Sequence, residues 1–202
     1  AGWLDANGGD FVPIAERIPA RVVARVLGLP EQDVPRFRKW AMTGGDMLAG
    51  AIDGDGLAAI GLQAGEMADY LGAHLDIASS RVQEGQGAPL LHALARGVRD
   101  GDIVREEAVG IAAVMFGAGG ESTAALLGSA ARVLAQNPQL ADALRADPFL
   151  VPRFVEEVVR LEPPFKFHYR AVRRSCRLGG FDLEAGDRLM LLWASANRDP
   201  SH

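Results

Sequence analysis

Apolar residues recur at helical spacing through most of the first 160 positions, and that period predicts a succession of helices. Ile14, Ile18, Val22, Val23, Val26 and Leu27 mark a first segment that Asp10 can cap and Gly28 can stop. Pro13 fits its first turn, whereas Pro19 predicts a break into two short helices. A further helix is expected over 33–41, entered near Pro35 and carrying Phe37 and Trp40. The stretch 43–56 holds five glycines and three aspartates and reads as a loop or a short helix. Next comes a long amphipathic helix over 57–82, with Leu62, Met67, Tyr70, Leu71, His74, Leu75 and Ala78 near helical spacing. A short helix over 89–96 and a turn over 99–102 lead to the strongest segment, 103–136. Its middle, Ile111 to Phe116, is apolar on every face, as in a helix running through a core. Asn137-Pro138 and Asp147-Pro148 each pair a capping residue with proline at the first helical position.

After Pro163-Pro164 the period shortens. Residues 165–172, 177–183 and 187–192 read as strands, turned by Gly179-Gly180 and Ala185-Gly186-Asp187. The fold class is mainly α with a small β-sheet near the C-terminus. A single domain is expected over 1–202, helical over 1–160, with a helix end and the small sheet over 161–202. There is no internal repeat and no linker.

Composition narrows the function classes. Two hundred and two residues suffice to bury a real core, and 49% hydrophobic with 23% charged residues is an ordinary globular balance. The 24 glycines and 11 prolines have no period, which excludes collagen-like and low-complexity chains. No uninterrupted apolar run reaches the roughly 18 residues of a membrane span, and no leader pattern opens the chain. A cytoplasmic protein without a membrane partner is expected. The net charge of −5 argues against nucleic acid as a partner. A single cysteine excludes a disulfide framework and any multi-cysteine zinc or iron–sulfur site. The chain opens at Ala1 and closes on the turn-like Asn197-Arg198-Asp199-Pro200-Ser201-His202, which reads as a fragment.

Three patches could carry chemistry. Gly117-Ala118-Gly119-Gly120-Glu121-Ser122-Thr123 interrupts the most apolar helix, although each glycine there costs about 1 kcal/mol of helix propensity. Small residues let a flat, bulky group approach the backbone. A serine or threonine hydroxyl can bend a helix by bonding to a carbonyl one turn earlier. The patch suits either a ligand notch lined by an acid and an alcohol or a close helix crossing with a polar face in solvent. In the second patch Glu157 and Arg160 share a helix face and can pair, as many surface pairs do. In the third, Phe165-Lys166-Phe167-His168-Tyr169-Arg170, a histidine and an arginine two apart on a strand share a face suited to an anion; a solvated strand edge is the plainer reading.

Taken in order, these pieces resemble the cytochrome P450 superfamily in its soluble bacterial form. The resemblance covers nearly the whole chain. Residues 10–40 are similar to the paired helices before the substrate-covering region, RDGDIVREE to the lead-in of the long central helix, and GAGGEST to that helix's A-G-x-[DE]-T signature. EEVVR resembles the E-x-x-R motif, and Arg170, GGFDLEAGD and ASANRDP follow the family's sheet toward its haem loop. The resemblance implies a P450-like fold, incomplete at both ends, and a haem-thiolate monooxygenase that inserts one oxygen atom from dioxygen into a small organic substrate. Electrons would come from a ferredoxin or flavodoxin-like partner. Ala118 and Gly119 would lie against the haem face. Glu121 and Ser122 would organise water and deliver protons, with Thr123 able to share the alcohol's role. Glu157 and Arg160 would form a buried structural ion pair. Arg170 and His168 would bind a haem propionate, and Phe165, Lys166 and Phe167 would border the substrate pocket.

Two departures stand out. Ser122 occupies the alcohol position where the family favours threonine, keeping the hydroxyl but losing the methyl that restricts its rotamers. The family's haem-binding loop with its axial cysteine is missing, and Cys176 in Arg174-Ser175-Cys176-Arg177 matches nothing in that loop; it reads as a structural or surface thiol, so the resemblance implies no metal ligand in this chain. A non-catalytic helical ligand-binding or regulatory module would explain the amphipathic helices and the acidic charge equally well. It leaves glycine, acid and alcohol in the most apolar helix unexplained. A degenerate P450-like protein that binds without turnover is the other alternative.

Overall fold

Helix α1 (Val12–Leu27) starts where Asp10 Oδ1 accepts the amide of Val12 at 2.9 Å. The computed structural model describes residues 9–41, 54–81 and 88–201. Pro19 does not divide α1: the helix continues through it, with Pro19 on the buried face beside Ala15, Ala20 and Val23. The expected break is thus corrected, because burial of that face outweighs the one backbone bond a proline forgoes. Gly28, at φ +81°, ends the helix: its own amide bonds Arg25 O and that of Leu29 bonds Ala24 O.

A 3-10 turn (Glu31–Asp33) leads into α2 (Val34–Ala41), whose Phe37 and Trp40 are buried as expected. The glycine- and aspartate-rich stretch falls almost wholly outside the described residues. Helices α3 (Gly54–Ser80), α4 (Leu90–Asp100) and α5 (Arg105–Gly119) follow. Gly101, at φ +83°, ends α4, and Glu107 Oε2 accepts the amide of Val104 at the start of α5. Arg105 forks onto Asp76 at 3.1 and 2.8 Å, tying α5 to α3. The chain divides into two compact units, Ala1–Ala125 and Leu126–His202. In the first, α5 packs against α1, α2, α3 and α4 around Leu27, Phe37, Leu71, Leu75 and Phe116. Rings of Phe37, Trp40, Tyr70 and Phe116 lie with centroids 5.3–6.1 Å apart. Tyr70 donates its hydroxyl to Asp33 Oδ2 at 2.8 Å; burial, then that bond, push its phenol well above the ordinary value.

The segment 103–136 is not one helix. It breaks at Gly120, between α5 and α6 (Glu121–Gln136). Counted across the break, Arg105–Gln136 contains an 18-residue window of mean hydropathy 1.3, long and apolar enough to cross a membrane by length and composition alone. Alanines raise that average without forming an uninterrupted apolar run, so the expectation drawn from runs is unchanged.

In the second unit the end of α6 is capped by Asn137, whose Nδ2 donates to Val133 O at 2.8 Å. Asn137 is also the N-cap of α7 (Pro138–Ala146), as expected, but through its carbonyl, which accepts from Leu140 and Ala141, while its side chain serves α6. Asp147 accepts from the Phe149 amide as expected, opening a 3-10 turn (Pro148–Leu150) before α8 (Val151–Leu161). Strands β1 (His168–Ala171), β2 (Cys176–Leu178), β3 (Phe181–Leu183) and β4 (Arg188–Leu191) precede the short α9 (Trp193–Ala196). They form two separate antiparallel pairs in place of a single sheet. One joins β1 to β4 with His168 opposite Leu191; the other is the β2–β3 hairpin, turned by Gly179 and Gly180 at positive φ.

Glu162, just past α8, gathers three cations: Arg132 at 3.0 Å, Arg198 at 3.3 Å and Lys166 at 3.6 Å. Desolvation alone would raise its carboxyl, but the Arg132 hydrogen bond and the three charges together hold it below the ordinary value. A carboxylate depressed in the folded state adds stability at neutral pH and loses it as pH falls through the folded value. Acid unfolding of the wild type should therefore steepen below about pH 4.5, and Glu162→Gln should lack that component. Tryptophan fluorescence against pH checks it; identical acid profiles would remove Glu162 from this role.

Candidate active site

Helix α5 shows why its sequence looked apolar all round. Ala108, Ala112 and Phe116, four apart, are buried in the first unit. On another face Val114 is 65% exposed and Ile111 and Ala118 are exposed as well. One face belongs to the core, and an apolar face is left uncovered by the described residues. That corrects the reading of a helix buried on every side.

The three glycines of the notch are not equivalent. A Cβ on Gly117 would meet nothing within 4 Å, and one on Gly119 would touch Val23 Cγ2 at 3.0 Å. One on Gly120 would lie 2.4 Å from Ala41 Cβ and 2.7 Å from Phe116 O. Gly120 is glycine because α2 passes directly over it. Its amide bonds Phe116 O at 2.9 Å and its carbonyl accepts from Ala124 at 3.0 Å. Between them the Ser122 hydroxyl donates to Ala118 O at 2.8 Å, the back-bond to the previous turn that the sequence suggested. Glu121 and Ser122 are half-buried, and Thr123 is exposed. Glu121 makes no hydrogen bond or ion pair with the described residues. Its carboxyl and the acceptor lone pairs of the Ser122 hydroxyl are therefore available to water.

The second unit holds the remaining candidates. Arg160 grips Glu157 from Nε at 3.1 Å and Nη2 at 2.7 Å, and its Nη1 donates to Asn197 O at 2.8 Å. The Arg160 hydrogen bond holds the Glu157 carboxyl below its ordinary value. The pair forms as expected but is not buried: the two side chains are 59% and 46% exposed. Three apart on α8, they stand on a largely exposed side, tied to the end of α9 through Asn197 O.

Strand β1 sorts its residues by face. Tyr169 carries Arg188 over its ring at 4.4 Å and Phe167 against its edge at 5.6 Å. His168 and Arg170 take the other face. Arg170 is exposed and bonds Tyr169 O through Nη1 at 2.9 Å. His168 Nδ1 accepts from Trp193 Nε1 at 2.6 Å, and the Phe165 ring lies 5.0 Å from its own. Phe165, Lys166 and Phe167 thus separate: one meets His168, one pairs with Glu162 and one joins Tyr169. Sequence reasoning missed Trp193, Asn197 and Glu162 as partners; Lys166, four residues after Glu162, gave the one local signal. Cys176 is exposed on β2. A cleft of about 470 Å³ beside Ile18, Arg21, Val22, Arg25 and Glu31 includes none of the expected site residues.

No protein-family model matches the chain. It is 40% identical over 203 residues to cytochrome P450 144 of Mycobacterium tuberculosis, covering 98% of this chain and 46% of that protein. It is 33% identical over 190 residues to the cytochrome P450 monooxygenase PikC of Streptomyces venezuelae, covering 93% and 43%. Its fold matches the ligand-free structure of cytochrome P450 TbtJ1 with a TM-score of 0.83 at 30% identity, covering 98% and 52%. The chain spans about half the length of the curated relatives it matches. With the A-G-G-E-S notch, the Glu157–Arg160 pair and the basic first strand in their expected order, sequence and fold place the chain in the cytochrome P450 superfamily, among its bacterial members.

Proposed function

We propose that the protein containing this chain is a haem-thiolate monooxygenase that inserts one oxygen atom from dioxygen into a small organic substrate. The observation that carries this reading is the notch itself: an acid and a back-bonded serine at a glycine break, beside an uncovered apolar helix face. The residues fit the cofactor. Ala118, on the exposed face with Ile111 and Val114, and the small Gly119 after it suit a flat apolar ring. Arg170 and His168 share one strand face and suit its carboxylates. Bound haem, with a cysteine thiolate from outside this chain, supplies the oxygen-activating chemistry. Cys176 is a surface thiol in this reading.

The chain's own residues bind, orient and move protons. Ser122, anchored on Ala118 O, presents acceptor lone pairs to a water, and Glu121 exchanges protons with that water. Thr123, exposed, is a second alcohol for the same chain of bonds. Glu157 and Arg160 hold the end of α8 to Asn197. Phe165 and Phe167 border the substrate pocket, with Lys166 held back by Glu162. We read 1–202 as one partial domain. We place the protein in the cytoplasm, with a ferredoxin or flavodoxin-like electron donor.

Haem titration of the full-length protein tests the reading against a regulatory module: a Soret shift on binding is expected, and none would favour the module. In the loaded enzyme Glu121→Gln should slow turnover about 10²-fold, the size of a lost proton-transfer group, and raise the solvent isotope effect. An unchanged rate and isotope effect would exclude Glu121 from proton delivery.

A further inference from the structure

The antiparallel register that places His168 opposite Leu191 puts Trp193 on the same side of the β1–β4 pair, one diagonal step away. The ladder carries on past β4, since the Ala194 amide bonds Lys166 O at 3.1 Å and holds the start of α9 beside β1. Trp193 then donates its indole N–H to His168 Nδ1 at 2.6 Å, with the two rings inclined at 63° and centroids 6.1 Å apart. An indole nitrogen can only donate, so the atom facing it must be an unprotonated acceptor. In neutral imidazole one nitrogen accepts and the other carries the proton. Phe165 packs against the same ring at 5.0 Å and limits its rotation.

We infer that Trp193 is a positioning residue that locks His168 in the Nε2–H tautomer, keeping one N–H donor free for a carboxylate oxygen. The class of ligand follows from the neighbour: Arg170, on the same strand face, adds a guanidinium, and a neutral N–H beside a cation suits a carboxylate. With the roles of His168 and Arg170 proposed above, on which this inference rests, that carboxylate is a haem propionate. Without the indole, part of the population is free to carry its proton on Nδ1, and in that part the donor is lost from Nε2.

The test uses the full-length holoprotein in its diamagnetic ferrous–CO form, labelled with ¹⁵N-histidine. The long-range ¹H–¹⁵N spectrum of the wild type should show His168 protonated at Nε2 alone, and Trp193→Phe should shift the ring toward Nδ1–H. Haem transfer to apomyoglobin should be about fivefold faster in Trp193→Phe, the equivalent of one hydrogen bond. The same substitution made on His168→Gln should add nothing, because an amide N–H donates whatever the neighbour does. A wild-type spectrum with Nδ1–H, or an equal effect of Trp193→Phe in both backgrounds, overturns the inference. Haem loss unchanged in His168→Leu would instead overturn the propionate reading, while the spectrum still judges Trp193 by itself.

Discussion

Replacing Phe116 by alanine should destabilise the first unit by about 3–5 kcal/mol, the usual cost of removing a buried phenylalanine. Phe116 is fully buried, with the Phe37 and Trp40 rings 5.4 and 6.1 Å from its own, and it sits one turn before the glycine break. The cavity cannot collapse easily, because the α2 rings of Phe37 and Trp40 that line it pack on each other and are backed by Tyr70 of α3. Urea unfolding followed by circular dichroism should show the midpoint falling with little change in slope. A loss below about 1 kcal/mol would mean that the site relaxes and that Phe116 is not the keystone of this cluster.

Gly120→Ala should cost about 1–3 kcal/mol by overpacking, although alanine is the better helix former. The new methyl would stand 2.4 Å from Ala41 Cβ, an atom fixed to the α2 backbone, so α2 must move or the α5–α6 junction must open. Gly117→Ala is the internal control. It lies three residues away in open space and should be neutral or stabilising by up to about 1 kcal/mol. Melting temperatures of the two variants should move in opposite directions. A harmless Gly120→Ala would show that the approach of α2 is not what keeps glycine there. The Ser122 bond to Ala118 spans this junction, so Gly120→Ala should also disturb the proposed proton path, whereas Gly117→Ala leaves that bond in place.

Much of the architecture could be read along the chain because its causes are local. Gly28 stops α1, Asp147 opens the turn before α8, and Gly179-Gly180 turn the hairpin, each through bonds within a few residues. Glu157 and Arg160 pair because three residues of helix bring them together. The errors arose where distant contacts decide. Pro19 suggested a break, yet packing of its face keeps α1 whole. Asn137 heads α7 as expected, yet its side chain bonds back to α6 and leaves the α7 amides to its carbonyl. The Ile111 to Phe116 run suggested a helix buried all round, but hydrophobicity does not say which face finds a partner.

By itself, then, the sequence determined the order of the helices and hairpin, the acid–alcohol step in the most apolar helix and the family pattern that runs through them. All of these depend on periodicity, turn chemistry and spacing within one element. Only the tertiary structure decided which of the three glycines in the notch is indispensable, which α5 face stays open, and that a tryptophan 25 residues beyond His168 governs its ring. Those answers depend on the approach of α2 to the helix break and on a strand register, which bring together side chains that no local pattern relates.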